Sequence, residues 1–409
     1  MAKILPFNGL LPTPERVEQV AAVPYDVVNS AEAAELAAGN PYSFLHVSRP
    51  EIDMEDGVDL HSDPVYAKAA ENFAKLCATA PLKLDSAKHL YIYRLKMGDH
   101  VQTGIIGAAS SAEYNQGIIK KHEKTRQDKE DDRTRHVMTC RSHTGPTFLT
   151  YQDSAEITAL VDELSQATPL FDFTAPDGIG HTLWRVDAQQ SQQLSELFTK
   201  IPYLYIADGH HRSAAAARVA AECKPNNPNH TGDEDYNRFL SVTFPASQLK
   251  ILSYNRALHS LNGLSEAEFF EQIKKSFTVS ETTDPIPTAP GQFCMYIAGK
   301  WYLLETKQNI AELGVIERLD VSILQDNILA PLLDIEDPRT SKKIDFVGGI
   351  RGTAELEKLV DSGKAAVAFS MYPTTVQQLI DIADADEIMP PKSTWFEPKL
   401  RDGLVCHNF

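Results

Sequence analysis

The stretch that decides the fold is Tyr203-Leu-Tyr-Ile-Ala-Asp-Gly-His-His-Arg-Ser-Ala-Ala-Ala-Ala-Arg218. Residues 203–207 are apolar and aromatic and follow Pro202, which predicts a short buried strand. The chain over 213–223 is rich in alanine, a strong helix former, so a helix is expected there. The polar residues 208–212 are then predicted to form the turn that leads from the strand into the helix.

The predicted turn carries residue types that bind phosphate. The first turn of a helix exposes backbone N–H groups that lack intrahelical acceptors, at the positive end of the helix dipole. Gly209 lets the backbone approach a ligand closely, and Arg212 can grip phosphate oxygens with a forked, permanently charged group. Asp208 can hold a metal ion or accept a proton, and His210 and His211 can each donate, accept or titrate. A structural interpretation is also open, with Asp208 as a helix cap and the histidines as hydrogen-bonded loop residues.

This turn and several other segments resemble the DUF1015 family of bacterial and archaeal proteins, which is related to the ParB/sulfiredoxin superfamily. The other matching segments, in family order, are Pro24-Tyr-Asp-Val27, His122-Glu-Lys-Thr125, His181-Thr-Leu-Trp184, Leu319-Asp-Val-Ser-Ile-Leu324 and Met389-Pro-Pro-Lys-Ser-Thr394. They span nearly the whole chain. The resemblance implies that the turn binds nucleotide phosphates, and some relatives in the superfamily are free-serine kinases.

The expected fold is α/β with a mixed sheet. A length of 409 residues favours two domains. The resemblance implies a ParB/sulfiredoxin-like nucleotide-binding core with insertions over 1–255, followed by a C-terminal α/β domain over 256–409 that contributes to the substrate cleft. Within the second part, two strands around Ala298-Gly299 are predicted to form a hairpin.

The resemblance implies a small-molecule kinase that transfers a phosphoryl group from a nucleotide to a hydroxyl metabolite, with free L-serine as the preferred acceptor. Such chemistry needs positioned phosphates, a divalent cation and a carboxylate for the hydroxyl. The expected cofactors are ATP or ADP and Mg²⁺, with Asp208 as the metal ligand. The residues predicted to bind the nucleotide are Gly209, His210, His211, Arg212 and Ser213. The predicted catalytic residues are Glu123, Asp26, Asp208 and His210, and those predicted to bind the substrate are Lys392, Ser393, Thr394 and His122.

Several of these residues also have a plainer interpretation. Asp26 can cap the helix expected near Ser30, and residues 392–394 can form a rigid turn between prolines. The His122-Glu123 pair is not a zinc motif, because an HExxH pattern requires a histidine at the position that Arg126 occupies. Which of the two carboxylates, Glu123 or Asp26, acts on the hydroxyl is left open.

The amino-acid composition limits the classes of molecule that the protein is expected to bind. A formal net charge of −17 disfavours nucleic acid binding, which argues against the alternative function, a ParB-like nucleotide switch or DNA-associated regulatory protein. No apolar run approaches the roughly 20 residues that span a bilayer, and the N-terminus does not look like a signal peptide. Five cysteines without CxxC spacing fit reduced thiols in a cytoplasm. We therefore expect a cytoplasmic protein with a small-molecule substrate and no nucleic acid or membrane partner, and a homo-oligomer is left open.

Overall fold

The computed structural model describes residues 1–80 and 82–409. The chain forms two compact units, which are described separately. The first unit comprises residues 1–249 and 398–409, and the second comprises residues 250–397. The second unit is thus an insertion in the sequence of the first.

A large mixed sheet forms the centre of the first unit. Its strands, in order across the sheet, are Ile119–Lys120, Leu204–Asp208, Thr147–Tyr151, Arg238–Pro245, His100–Ser110, Tyr91–Met97, Gly180–Arg185 and Phe171–Thr174, with Ile4–Leu5 also paired to His100–Ser110. Most neighbours are antiparallel. Leu204–Asp208 runs parallel to Ile119–Lys120, and Arg238–Pro245 runs parallel to Thr147–Tyr151. The predicted mixed α/β fold class is confirmed.

Helices and a small sheet surround this large sheet. The helices of the first unit, including short 3₁₀ turns, are Val17–Val20, Ser30–Ala37, Leu45–Ser48, Pro50–Asp53, Asp63–Thr79, Ser111–Asn115, Gln127–Cys140, Ala155–Leu164, Ala188–Phe198, His210–Cys223, Lys224–Asn226, Asp235–Asn237 and Ala246–Gln248. The small sheet has the order Lys83–Leu84, Gly9–Leu11, Cys406–Asn408 and Ser142–His143.

The core of the first unit lies between the large sheet and its helices. Buried side chains from the strands, such as Leu149 and Ile206, pack with helix residues such as Ile157, Leu194 and Phe198. Within the described part of the chain, no helix combines the length and the apolar character needed to cross a membrane.

The second unit is built on an antiparallel sheet. Its strands, in order across the sheet, are Phe277–Thr282, Lys300–Thr306, Gln292–Ile297, Val367–Met371, Tyr254–Leu258 and Ile344–Gly348, and a separate pair joins Ile251–Leu252 to Trp395–Phe396. Its helical segments are Glu266–Ser276, Ile310–Glu312, Asp320–Leu324, the π-helical Gln325–Leu329, Ala330–Leu333, Gly349–Arg351, Ala354–Asp361 and Val376–Asp384. The π-turn directly precedes the segment that holds Pro331, whose ring nitrogen cannot donate to the preceding turn.

The boundary between the units differs from the one expected from the sequence. The first unit ends six residues before position 255, and residues 398–409, expected in the second domain, return to the first unit. The reason is backbone pairing. Cys406–Asn408 hydrogen-bonds to Gly9–Leu11 on one side and to Ser142–His143 on the other.

Candidate functional site

The candidate site lies where the strand Leu204–Asp208 meets the helix His210–Cys223. The turn was expected to take five residues, over 208–212, but it consists of Gly209 alone. Gly209 has a φ of 95°, a left-handed conformation that reverses the chain at once, so the helix starts at His210. Residues 210–212 therefore form the first helical turn, where backbone N–H groups have no intrahelical acceptor.

Parallel pairing brings a second predicted motif to the same place. Ile119–Lys120 runs parallel to the start of Leu204–Asp208, with Ile119 opposite Leu204. Parallel strands end at the same edge of a sheet, so the residues that follow each strand become neighbours. His122 and Glu123 therefore reach the beginning of the helix, although they precede His210 by 88 and 87 residues in the sequence.

His210 is buried against His122 and also lies next to the exposed Glu123. Its ring meets the His122 ring edge to face, with centroids 4.5 Å apart, and its Nδ1 lies 3.4 Å from Glu123 Oε2. Burial lowers the pKa of His210 well below its usual value and lowers the pKa of His122 to about 4. Both rings are thus neutral near pH 7. Two buried ring nitrogens, His210 Nε2 and His122 Nδ1, have no hydrogen-bond partner among the described residues.

Arg212 turns inward and neutralises two carboxylates. Its Nη2 lies 3.6 Å from Asp26 and 3.7 Å from Asp208, and its Nη1 donates to the backbone oxygen of Pro146. The side chain is only 9 % exposed. Burial by itself would lower the pKa of Arg212, but Asp26 and Asp208 more than offset this effect and raise it. The predicted contact between Arg212 and a phosphate stays a prediction, and in this structure the guanidinium joins the two carboxylates.

Asp208 also contacts a lysine from the end of the chain. Lys399 Nζ donates to Asp208 Oδ2 at 3.0 Å. Burial would raise the pKa of Asp208, but Lys399 and Arg212 prevail and hold it well below its usual range. Asp208 is therefore ionised and lies between two cations.

The remaining residues of the predicted nucleotide set lie on the same helical turn. His211 Nε2 accepts the backbone N–H of Arg126 at 3.1 Å, which places the proton of its neutral ring on Nδ1. Burial lowers the pKa of His211. Ser213 is fully buried, and its Oγ donates to Thr147 Oγ1 at 3.4 Å. The structure thus brings Asp26, His122, Glu123 and residues 208–213 together.

A small cavity with a mixed polar and apolar lining lies beside Arg212, inside the first unit. Its volume is about 30 Å³, room for about two water molecules, and its lining includes His143, Gly145, Arg212 and Asp402. Arg212 Nε, His143 Nε2 and Asp402 Oδ1 are buried there without a hydrogen-bond partner among the described residues. Burial raises the pKa of Asp402 to about 7, although Arg212 acts in the opposite direction.

The three residues of the predicted substrate loop lie in the second unit. Lys392 has a φ of 58°, and its backbone oxygen accepts from Arg256 Nη2 at 3.1 Å. Ser393 is buried, and its Oγ donates to the backbone oxygen of Pro390 at 2.6 Å. These contacts describe an ordered turn. The predicted substrate contact of Lys392, Ser393 and Thr394 stays a prediction.

Lys399 and Asp402 were missed in the sequence-based site. Both come from the segment that returns to the first unit after the second unit, so no spacing rule links them to Asp208. Lys399 lies just beyond the Met389–Thr394 motif, in a run with three prolines and two lysines. That proximity was the signal available in the sequence.

The donor set for a metal is small. Across residues 1–80 and 82–409, no group of three or more His, Cys, Asp or Glu side chains is arranged to hold a metal ion. Mg²⁺ takes few protein carboxylates and keeps water and phosphate ligands, so the residues to test are Asp208 and its neighbour Asp26. Both carboxylates already face Arg212.

Comparison with solved structures finds distant similarity. A free serine kinase in complex with AMP is 15 % identical and has a TM-score of 0.34, with coverage of 72 % of this chain and 86 % of that chain. A conserved hypothetical protein from Pyrococcus furiosus is 15 % identical and has a TM-score of 0.34, with coverage of 73 % of this chain and 93 % of that chain. SbnI with a C-terminal truncation, from Staphylococcus aureus, is 10 % identical and has a TM-score of 0.37, with coverage of 73 % of this chain and 85 % of that chain.

Sequence comparison is more specific. No curated protein matches the chain. A family model described as "Protein of unknown function (DUF1015)" matches residues 4–322, which is well over half of the chain. The protein therefore belongs to the DUF1015 family.

Proposed function

We propose that this protein is a small-molecule kinase that transfers a phosphoryl group from ATP or ADP to a hydroxyl metabolite. The observation that carries the proposal is the set of groups around the start of the helix His210–Cys223. An open helix N-terminus, a buried neutral histidine and a neighbouring carboxylate lie within one small region. Phosphoryl transfer needs positioned phosphates and a group for the acceptor proton, and this region offers both.

The phosphates have a natural place at Gly209. The glycine has no side chain in front of the first helical turn, and no side chain caps this turn, so the N–H groups of residues 210–212 are donors of the kind that phosphate oxygens accept. An added Cβ at Gly209 would lie 3.1 Å from Arg212 Nε, so the position is already closely packed on that side. Oxygen acceptors of a nucleotide phosphate fit these donors without a cluster of basic side chains.

Glu123 is the better candidate for the base that receives the acceptor proton. Its carboxylate lies 3.4 Å from the neutral ring of His210 and is 47 % exposed, so an acceptor can reach it. Asp26 instead serves as a counter-ion of Arg212 at 3.6 Å. His210 can hold Glu123 in place through its Nδ1–H, so we assign it a positioning role.

Free L-serine is the acceptor that we propose. The choice follows from the family resemblance, since the structures compared include free serine kinase complexes with AMP and ADP, and that activity is theirs. A free amino acid also suits a protein with a net charge of −17, which disfavours nucleic acid as the acceptor.

The test is a direct assay. The purified protein is incubated with ATP or ADP, Mg²⁺ and L-serine among a pool of hydroxyl metabolites, and the products are analysed by mass spectrometry. We expect phosphoserine and the corresponding nucleotide product. If no metabolite is phosphorylated with either nucleotide, the kinase function is refuted. If a different metabolite is phosphorylated, only the choice of serine as the acceptor is refuted.

The base is tested by amide substitution. Glu123→Gln should lower the single-turnover rate by about 100-fold to 10,000-fold and leave nucleotide affinity unchanged, because general-base assistance contributes about that much. Glu156→Gln is the matched control, since Glu156 is exposed and pairs with Lys200 on a distant surface. If Asp26→Asn slows the reaction and Glu123→Gln does not, the assignment passes to Asp26.

A further inference from the structure

The carboxylate of Asp208 faces a nitrogen cation at each of its oxygens. Lys399 Nζ donates to Oδ2 at 3.0 Å, and Arg212 Nη2 lies 3.7 Å from Oδ1. The two cations outweigh the effect of burial and keep the carboxylate ionised. Asp208 is thus the centre of a charged group and not a carboxylate that faces open solvent.

Lys399 is held in place by its own segment. Two residues further on, Arg401 is bonded to the carboxylate of Asp177. Asp402 then exchanges two backbone hydrogen bonds with Ala22, at 3.1 and 2.9 Å. The Lys399 side chain is only 15 % exposed. Because its backbone is fixed, the ammonium group is positioned at Asp208 in a way that an ion pair between mobile surface chains is not.

This arrangement does not fit the magnesium role that the sequence suggested for Asp208. Mg²⁺ binds carboxylate oxygens at about 2.0–2.1 Å in near-octahedral geometry. A cation at that distance from Oδ2 would lie against the Lys399 ammonium, and one at Oδ1 would lie against Arg212. Like charges this close repel each other strongly at the effective dielectric of a partly buried site. Each oxygen of Asp208 to which a metal ion would bind already faces a side-chain cation.

We propose that Lys399 is a nucleotide-binding residue, which Asp208 positions so that its ammonium group contacts a phosphate at the start of the helix His210–Cys223. Asp208 immediately precedes Gly209, the N-cap of this helix, so Lys399 is bonded to the side chain of the residue next to the cap. An ammonium group has three donor hydrogens, so one lysine can contact a carboxylate and a phosphate together. The inference deepens the proposed kinase function and rests on it.

The test measures ADP affinity by calorimetric titration, once with Mg²⁺ and once with excess EDTA. If protein-bound magnesium is not required, the unaltered protein should bind ADP in EDTA within about threefold of its affinity in Mg²⁺. A charge-assisted hydrogen bond contributes about 1.5–3 kcal/mol, so Lys399→Met should weaken ADP binding by about 10-fold to 150-fold in both buffers. Lys200→Met is the control, because Lys200 is an exposed lysine that pairs with Glu156.

A second variant guards against misfolding. Lys399→Met alone leaves the partly buried Asp208 with one cation fewer, which can destabilise the fold, whereas the double change Asp208→Asn with Lys399→Met removes both charges. The double variant should fold and still lose ADP affinity by at least tenfold. Normal ADP affinity in either variant overturns the inference, as does a loss of affinity of the unaltered protein in EDTA that exceeds about threefold. No ADP binding by the unaltered protein in either buffer overturns the kinase function along with it.

Discussion

Replacement of Arg212 by methionine should destabilise the first unit measurably. Arg212 is 9 % exposed, lies 3.6 Å from Asp26 and 3.7 Å from Asp208, and donates to the backbone oxygen of Pro146. Removal of one partner of a buried ion pair costs about 3–5 kcal/mol, because the other charge is left uncompensated. Two features reduce this cost, since Asp26 is 37 % exposed and Asp208 keeps Lys399.

The expected change is therefore near the lower limit, about 3 kcal/mol, including about 1 kcal/mol for the hydrogen bond to Pro146. With a urea m-value of about 2–3 kcal/mol/M, it should lower the unfolding midpoint by about 1 M. The two units need not unfold together, so a local probe is required. Hydrogen exchange of the peptide that covers residues 204–223, measured across a urea series, reports on the strand and helix that Arg212 joins.

The matched control is Arg126→Met. Arg126 is 70 % exposed and its side chain pairs with Asp128 at 2.8 Å, the kind of ion pair that contributes less than about 1 kcal/mol. Its backbone N–H, which donates to His211, is retained. Equal midpoints for the two variants, within about 0.2 M at the m-value given above, would refute the view of Arg212 as a buried counter-ion.

Three further predictions follow from the same region. The pKa of Asp402 is raised from 3.8 to about 7, so its contribution to stability is present below pH 4 and is lost as the pH rises toward 7. The stability difference between Asp402→Asn and the unaltered protein should therefore shift in favour of the variant from pH 4 to pH 8, by at most about 4 kcal/mol. Equal differences in urea midpoint at the two pH values would contradict this. Gly209→Ala and Gly232→Ala both force alanine to a positive φ, near 95° and 100°, at a backbone strain of about 1–2 kcal/mol. Only at Gly209 does the new Cβ also meet a side chain, at 3.1 Å, so Gly209→Ala should lower the melting temperature clearly more than Gly232→Ala does. Ala216→Leu, at a fully buried position of the helix, should lower the free energy of unfolding by about 1–3 kcal/mol through overpacking, and the exposed Ala221→Leu should lower it by less than about 0.5 kcal/mol. Similar denaturation curves for the two variants would show that the helix has room on its inner face.

Local patterns in the sequence predicted local structure well. The hairpin around Ala298-Gly299 is present, with strands Gln292–Ile297 and Lys300–Thr306, and both turn residues have positive φ values of 50° and 78°. Such a two-residue turn depends only on neighbouring residues. The strand and the helix around Gly209 are also present for this reason. The helix begins three residues earlier than predicted because the alanine run marks where helix propensity is strongest, not where the chain first turns.

Contacts between distant segments could not be predicted in the same way. Glu123 was expected to reach the turn at 208–212, but only through the family resemblance, and the physical reason is the parallel pairing of Ile119 with Leu204. Sequence patterns do not state which strands pair. The inward direction of Arg212 was also out of reach, because it depends on Asp26 and on Pro146, which no spacing relates to the helix.

The return of residues 398–409 to the first unit has a consequence for the order of synthesis. A ribosome releases Asp208 and the whole of the second unit before it releases Lys399. The incoming and outgoing strands of the second unit, Ile251–Leu252 and Trp395–Phe396, pair with each other, so folding of that unit brings the two connections to the first unit side by side. Because the folded insertion already holds the two ends of this long loop together, the later pairing of Cys406–Asn408 with Gly9–Leu11 carries a smaller entropic cost of loop closure. During translation of the insertion, Asp208 therefore has only Arg212 as a cationic partner, and it gains its second, Lys399, only with the last dozen codons.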